Sequence, residues 1–186
     1  MATKVLLLVG SGRPHSDTKA LGNAIERSLQ ARGATTVLLD LLAADIPNVD
    51  PKYHRDPAEN PDPRIQNLVE QSNLADAFVF LTPIYHNSFS GLLKNTLDNL
   101  AVAQFSGKVI GLGSNGGNRT TQAVDQLRIV SRALNALVIP TQVCTQETDF
   151  AGEEMNAALS DETMLERVER FTEELVRVSE ALRAGR

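Results

Sequence analysis

The sequence predicts an α/β fold with a five-stranded parallel sheet of order 2-1-3-4-5 and helices on both faces. Short apolar runs alternate five times with segments of helical periodicity, which is the pattern of βαβ units. The runs are continuous in apolar residues, as expected for strands buried on both faces. Five strands favour this order over the six-stranded dinucleotide-binding fold.

The predicted strands are rich in Val, Ile, Leu and Phe, which suit a pleated, buried surface. They cover residues 4–9, 35–39, 77–81, 108–113 and 137–143. The last run contains Pro140, which cannot donate a backbone hydrogen bond, so we predict an edge position or a bulge there. A polar stretch at 145–154 follows it.

The predicted helices are marked by apolar residues at helical spacing. They begin near residues 18, 63, 91, 123 and 161. Ser16, Asp17 or Thr18 can cap the first helix, and Asp62 can cap the second ahead of Pro63. The last helix has an apolar stripe opposite a charged face, so it should cover the sheet, with a coiled-coil seam as the alternative.

We predict a single domain over residues 1–186, with an irregular loop at about 41–63. This segment carries five of the eight prolines. An irregular connection of this length is either functional or mobile. From its Tyr53-His54-Arg55 cluster we hypothesise a lid over the site, formed within one subunit or across a dimer.

Composition and charge exclude several classes of partner. The formal net charge is −5, so we expect no nucleic-acid partner. No stretch reaches the roughly 20 apolar residues of a membrane span, so we expect no membrane partner. The single cysteine, Cys144, cannot form an internal disulfide. We therefore expect a cytoplasmic protein with Cys144 in its core.

Three loops are predicted to meet at one edge of the sheet. In a sheet of this order, ligands bind at the carboxyl ends of the strands, between strands 1 and 3 where the order reverses. The loops after strands 1, 3 and 4 lie there, at 10–16, 82–91 and 114–119, and they are the loops richest in Gly, Ser, Asn and Arg. We therefore predict a single site at this edge.

The first of these loops has the features of a phosphate cradle. It joins a buried strand to a helix N-terminus, where free backbone N–H groups and the helix dipole attract an anion. Ser11, Ser16 and Thr18 add hydroxyl groups. Arg13 can bind a phosphate through two parallel hydrogen bonds.

Other phosphate-binding motifs fit this loop less well. A Walker A motif needs a lysine followed by Ser or Thr, and none is present here. The third glycine of a GxGxxG fingerprint would stand at position 15, which is His15 and which we expect on the surface. Asp40 ends the second strand as a ribose-binding carboxylate would, so a dinucleotide site stays open as an alternative.

The other two loops can hold a flat ring attached to that phosphate. Tyr85 offers a flat face, and Gly116-Gly117 allows the backbone to approach closely. A flat heteroaromatic ring on a single phosphate is a description of FMN. Arg119 is expected to follow a helix cap, with a contact to a nicotinamide phosphate as the alternative.

Two sets of motifs resemble a known family. The first is Gly10-Ser11-x-Arg13-x-x-Ser16, after the first strand. The second is Thr82-Pro83-x-Tyr85 with Gly91-Leu92-Leu93-Lys94-Asn95-x-Leu97-Asp98, after the third strand. Together they resemble the NADPH-dependent FMN reductase family, which implies a flavodoxin-like three-layer sandwich. The histidine after Tyr85 and the retained Asp98 are similar to the azoreductase and quinone reductase branch.

The resemblance also implies which residues bind FMN. They are Ser11, Arg13, Ser16 and Thr18 at the phosphate, Pro83, Ile84, Tyr85, His86 and Asn87 along one side of the isoalloxazine, and Ser114, Asn115, Gly116 and Gly117 along the other. Many relatives carry Glu where this chain has Ile84. The substitution removes a carboxylate from the rim of the flavin site.

The implied activity is an NAD(P)H oxidoreductase in which the flavin carries the chemistry. NADPH or NADH would give a hydride to FMN, which would pass it to a flavin, quinone or azo acceptor by a ping-pong mechanism. No catalytic side chain and no metal are expected. The family also implies a homodimer or homotetramer, with the 91–100 helix in the subunit contact. The alternatives are a biosynthetic flavoenzyme that oxidises a substrate such as an aminodeoxychorismate with oxygen, and a flavodoxin-like electron carrier.

Overall fold

The computed structural model describes residues 2–152 and 154–185. Its strands are β1 (Lys4–Val9), β2 (Thr35–Asp40), β3 (Ala77–Pro83), β4 (Val109–Asn115) and β5 (Leu137–Thr145). They form one parallel sheet in the order β2-β1-β3-β4-β5. The predicted fold class and strand order are confirmed.

The helices lie in two layers, one on each face of this sheet. They are α1 (Asp17–Ala31), α2 (Leu41–Ala44), α3 (Pro63–Leu74), α4 (Gly91–Asp98), α5 (Val102–Phe105), α6 (Gln122–Ala133) and α7 (Glu162–Ala184). The apolar residues of α1 and α7 form a core on one face, and those of α3, α4, α5 and α6 form a core on the other. No helix among the described residues is long and apolar enough to cross a membrane.

Alternation along β1 separates the two cores. Val5, Leu7 and Val9 belong to the core beneath α1 and α7, whereas Leu6 and Leu8 belong to the opposite core. Successive side chains of a strand point to opposite faces, so a strand covered on both faces must be apolar throughout. Burial on both faces therefore explains the continuous apolar run in the sequence.

The predicted helix starts are confirmed at their caps. The Ser16 side chain accepts a hydrogen bond from the Lys19 backbone at 3.2 Å. Asp62 accepts one from the Arg64 backbone at 2.9 Å, and Pro63 is the first residue of α3. Asp161 caps α7 in the same way. Each cap satisfies one of the backbone N–H groups that a helix leaves unpaired at its start.

The last helix packs against α1 and the sheet, so the coiled-coil alternative is wrong. Its apolar stripe is buried in the core shared with α1. The buried residues of this stripe are Met164, Val168, Phe171 and Leu175. An ion pair of 2.7 Å between Arg32 and Glu169 lies at the edge of the contact with α1.

Strand β5 has both features predicted from Pro140. It is the edge strand of the sheet, and its register with β4 shifts between Ile110 and Leu112. The Arg128 guanidinium donates to the carbonyl oxygens of Ile139 and Pro140 at 3.1 and 3.0 Å. Beyond β5, the sequence suggested only a polar connection, whereas the chain forms an antiparallel pair, β6 (Phe150–Ala151) and β7 (Ala158–Leu159).

The 41–63 segment is bound to α4 by asparagine side chains. Asn95 donates to the Pro47 carbonyl at 2.9 Å and accepts from the Val49 backbone at 3.0 Å. Asn99 donates to the same Pro47 carbonyl at 3.0 Å. Side-chain amides thus supply hydrogen-bond partners to the backbone at 47–49, which lies between α2 and α3 and belongs to no helix or strand.

The glycine in the middle of β4 leaves room for an aromatic ring. A Cβ atom at Gly111 would overlap the ring of Phe171, which is fully buried. We expect Gly111→Ala to lower the free energy of unfolding by about 2–3 kcal/mol, because an overpacked core forces its neighbours to move. Gly91→Ala is the control, since a Cβ there meets nothing within 4 Å. Urea titration measures both, and equal stability of the two variants would contradict this packing.

Candidate cofactor site

An open cleft of about 900 Å³ lies at the carboxyl ends of β1, β3 and β4. The three loops predicted to meet do meet here. Residues of 11–18, 83–85 and 115–118 line the cleft, together with a fourth segment at 146–157. The crossover between β1 and β3 opens this space, because the chain leaves their ends toward opposite faces of the sheet.

Most of the predicted site residues line this cleft. They are Ser11, Arg13, Ser16, Thr18, Pro83, Ile84, Tyr85, Asn115, Gly116 and Gly117. His86, Asn87 and Ser114 do not line it, and the predictions for these residues need correction. His15, expected on the surface, is exposed but does line the cleft.

A tight turn places His86 and Asn87 outside the cleft. Tyr85 and Ser88 exchange two backbone hydrogen bonds of 2.9 and 3.0 Å. Between them, His86 and Asn87 have φ values of 49° and 60°, as in a type I′ turn, which favours asparagine. The turn leaves Tyr85 against the cleft and its two central residues at the tip.

Ser114 belongs to the strand and not to the loop. β4 continues through Asn115, two residues beyond the predicted end, so Ser114 is fully buried. Its neighbour Asn115 does reach the cleft. Thr145 donates to the Asn115 side-chain oxygen at 3.0 Å, and the Asn115 amide nitrogen lies 3.5 Å from an Asp17 carboxylate oxygen.

The phosphate-loop end of the cleft presents hydrogen-bond donors to an anion. Among the described residues, none accepts from the backbone N–H groups of Gly12, Ser16, Asp17 or Thr18. The Ser11 hydroxyl accepts from the Arg13 backbone at 3.3 Å. Free N–H groups at the start of a 15-residue helix, with Arg13 beside them, fit the phosphate of FMN.

Close packing at Gly10 brings this loop against the start of α4. The Gly10 N–H donates to the Leu81 carbonyl at 2.8 Å. A Cβ atom at this position would lie 2.8 Å from the Ser90 hydroxyl and 2.9 Å from the Leu93 Cβ. Only glycine allows the phosphate loop to leave β1 along this path.

At the other end, a backbone wall faces Ile84 and Tyr85. Gly116 and Gly117 have φ values of 126° and 55°, and a Cβ on either residue would come within 3.8 Å of Ile84. The Ile84 N–H donates to the Asn115 carbonyl at 3.0 Å, which ties the two loops together. Tyr85 is 43% exposed, so its ring is available to a ligand. The two loops therefore form one continuous wall of the cleft, and a flat ring can lie against it.

The fourth segment of the cleft wall was not predicted. Its lining residues are Gln146, Glu147, Thr148, Phe150, Gly152 and Ala157. It starts where β5 ends and contains the β6–β7 pair. Its length was the only available signal, since a simple connection from a strand to a helix needs far fewer residues.

An ion pair fastens this fourth segment to the loop after β4. Arg119 donates to the Asp149 carboxylate at 3.0 and 2.6 Å and to Asp161 at 3.1 Å. The expectation that Arg119 follows a helix cap is wrong. Asp149 is only 1% exposed. Burial alone would raise the pKa of Asp149, but hydrogen bonds from Arg119 and from the Gln146 backbone outweigh it and lower that pKa.

Two other expectations are not supported by the geometry. Asp40 does not line the cleft; it accepts from Lys19 at 2.7 Å and from the Leu42 backbone at 3.1 Å, so its position gives no ribose site. The Tyr53-His54-Arg55 cluster does not line the cleft either, and the His54 ring lies 2.9 Å from the Asp98 carbonyl. The cluster therefore does not cover the site of its own chain.

Gln126 of α6 holds the turn that carries Tyr85. It accepts from the Ser88 hydroxyl at 2.7 Å and donates to the Asn87 carbonyl at 2.8 Å. We expect Gln126→Ala to weaken FMN and riboflavin alike by about threefold to tenfold, because each lost hydrogen bond is worth about 1 kcal/mol. Fluorescence titration measures both constants. Gln122→Ala, on an exposed position of the same helix, is the control; loss of FMN affinity alone would contradict a role at the ring.

Comparisons with known proteins agree with this site. The sequence profile described as NADPH-dependent FMN reductase matches residues 3–149. An FMN-dependent NADPH-azoreductase of Staphylococcus saprophyticus subsp. saprophyticus is 34% identical over 148 residues, 79% of each chain. One of Staphylococcus aureus (strain USA300) is 30% identical over 175 residues, 93% of each chain.

Solved structures show the same fold at lower identity. FerB of Paracoccus denitrificans, an NAD(P)H:(acceptor) oxidoreductase, has a TM-score of 0.79 at 18% identity, covering 97% of this chain and 98% of its own. The NADH:FMN oxidoreductase EMOB has a TM-score of 0.72 at 20% identity, covering 92% and 89%. The family match confirms the expected enzyme class, FMN cofactor and NADPH co-substrate. It does not support the alternative of a flavodoxin-like electron carrier. The chain belongs to the NADPH-dependent FMN reductase family.

Proposed function

We propose that the cleft binds FMN with its phosphate at 11–18 and its ring against the wall formed by Ile84-Tyr85 and Gly116-Gly117. The observation that carries this proposal is the run of backbone N–H groups at the start of α1 that lack acceptors among the described residues. They lie at one end of a cleft whose other end is bounded by glycine backbone and an exposed tyrosine. An anion and a flat ring can occupy these two ends together.

The protein residues bind and orient in this proposal. Arg13, Ser16 and the first N–H groups of α1 neutralise the phosphate. Ile84, Tyr85 and the Gly116-Gly117 backbone form the wall against which the ring lies, and they restrict its tilt. When bound, FMN supplies hydride transfer from the nicotinamide to an acceptor. No nucleophilic side chain is needed for that step.

We further propose a small electron acceptor of the azo, quinone or flavin class. The named activity of the staphylococcal relatives supports an azo compound. The nicotinamide and the acceptor would use the same open face of the ring in turn, which gives ping-pong kinetics. Within this proposal the protein is cytoplasmic and forms a homodimer or homotetramer through α4.

Rapid-mixing spectroscopy of the FMN-loaded protein tests the proposed function. NADPH added without oxygen should bleach the visible flavin absorbance within seconds, and a quinone added next should restore it. NADH in place of NADPH measures the preference between the two nucleotides. The proposal fails if NADPH leaves the flavin oxidised while a chorismate derivative reduces it. A protein that takes up no FMN would contradict the whole site.

A further inference from the structure

The charged side chains that line the cleft include two carboxylates and one arginine. Besides Tyr85, four of its lining residues are titratable. Arg13 and His15 belong to the phosphate loop, Asp17 is the first residue of α1, and Glu147 belongs to the fourth segment. Among the described lining residues, Arg13 is the only lysine or arginine. Once Arg13 binds a phosphate, the remaining fixed charges of the cleft are carboxylates.

Nearby cations are engaged elsewhere and do not offset these carboxylates. Lys19 pairs with Asp40 at 2.7 Å. Arg119 is bound to Asp149 and Asp161. Neither cation lines the cleft. An acceptor entering the cleft therefore meets a negative field, which the low-dielectric walls focus.

Asp17 and Glu147 interact with each other as well as with the cleft. Burial raises the pKa of the Asp17 carboxyl, and the charge of Glu147 adds to the increase, while the hydrogen bond from Asn115 and the charge of Arg13 oppose it. Asp17 is only partly exposed, so solvent screens its charge less than that of the exposed Glu147. Both groups repel an anion in the same space.

We propose that this cleft selects uncharged or cationic electron acceptors and discriminates against sulfonated azo dyes and other anionic acceptors. The proposal rests on the function proposed above and names the acceptor class of the same site. NADPH carries its charges on phosphates that are remote from its reacting ring. A sulfonate on an azobenzene lies within the acceptor itself and cannot avoid the carboxylates so readily.

Three matched dyes test the proposal. They are 4-(dimethylamino)azobenzene and its 4′-sulfonate and 4′-trimethylammonium derivatives, which differ in charge at one position. In each turnover NADPH supplies a hydride and the solvent a proton, which together convert the N=N bond into N(H)–N(H). The holoenzyme is first reduced by one equivalent of NADPH without oxygen, and the reoxidation rate is then measured with each dye.

At low salt, we expect the cationic dye to react about tenfold faster than the sulfonated dye. Because both substituents withdraw electrons, the difference between the two reaction rates reports mainly on the charge of the dye. Raising the salt from about 10 mM to about 200 mM should shrink the ratio, since screening weakens repulsion between partly exposed groups. A sulfonated dye that reacts as fast as the cationic dye at low salt would overturn the proposal.

Substitution of one carboxylate identifies the source of the discrimination. Glu147→Gln should raise the ratio of the sulfonated-dye rate to the cationic-dye rate about threefold, because one repulsive charge is removed. Glu173→Gln, at an exposed position of α7, should leave this ratio unchanged. An unchanged ratio in Glu147→Gln contradicts the assignment. If NADPH does not reduce the flavin, the proposed function has failed, and reduction by dithionite still allows the dye ratio to be measured.

Discussion

Replacing both Arg13 and Ser16 with alanine is expected to weaken FMN binding by about 100-fold or more and to change riboflavin binding by less than about threefold. Only FMN carries the phosphate that these residues would bind. A hydrogen bond to a charged group is worth about 1.5–3 kcal/mol, and the double variant removes donors from two side chains. Titration of the apoprotein with each flavin, followed by fluorescence, gives both dissociation constants.

The variant needs a control for stability because Ser16 also caps α1. Loss of a cap costs about 0.5–2 kcal/mol, and a general loosening of the loop would affect both flavins. Arg27→Ala, on an exposed position of the same helix and outside the cleft, should leave both constants unchanged. Equal losses for FMN and riboflavin in the double variant would show that the phosphate does not lie at this loop.

Removal of Arg119 is expected to lower the free energy of unfolding of the apoprotein by about 2–3 kcal/mol. The change leaves the Asp149 carboxylate, which is 1% exposed, without its cationic partner. We expect less than the full cost of an unpaired buried charge, because Arg119 is 33% exposed and the Gln146 N–H still donates to Asp149 at 3.0 Å. Urea titration measures the loss.

Acid sensitivity gives an independent measure of the same pair. The pKa of Asp149 is lowered in the folded protein from its ordinary value of 3.8. Its contribution to stability is therefore present above pH 3.8 and is lost as the pH falls through the folded value. Arg119→Ala should reduce this loss, so that its stability falls less steeply below about pH 4. Unfolding curves that have the same pH dependence in both proteins would contradict the role of the pair.

The parts of the fold that were predicted correctly have local signals. A helix start can be read from a capping side chain and a proline within a few residues, as at Asp62 and Pro63. The core could be read from apolar runs that a sheet covered on both faces requires. The order of the strands followed from their number and from general rules of βαβ connection.

The features that were missed depend on contacts between distant residues. Arg119 and Asp149 are 30 positions apart, and each looks like an ordinary polar loop residue in the sequence. The bonds from Asn95 to the 41–63 segment are likewise long-range. Ser114 was assigned to a loop because a strand end is uncertain by a few residues. Only the turn at His86 and Asn87 had a local signal, since asparagine tolerates positive φ.

A crystal structure of the FMN complex tests the central claim most directly. The account predicts that the phosphate oxygens lie within about 3.2 Å of the backbone N–H groups of Ser16, Asp17 and Thr18. The ring should lie against the wall formed by Ile84-Tyr85 and Gly116-Gly117. A phosphate bound beside Tyr85, with the ring at the start of α1, would contradict the proposed orientation. FMN bound outside this cleft would contradict the site itself.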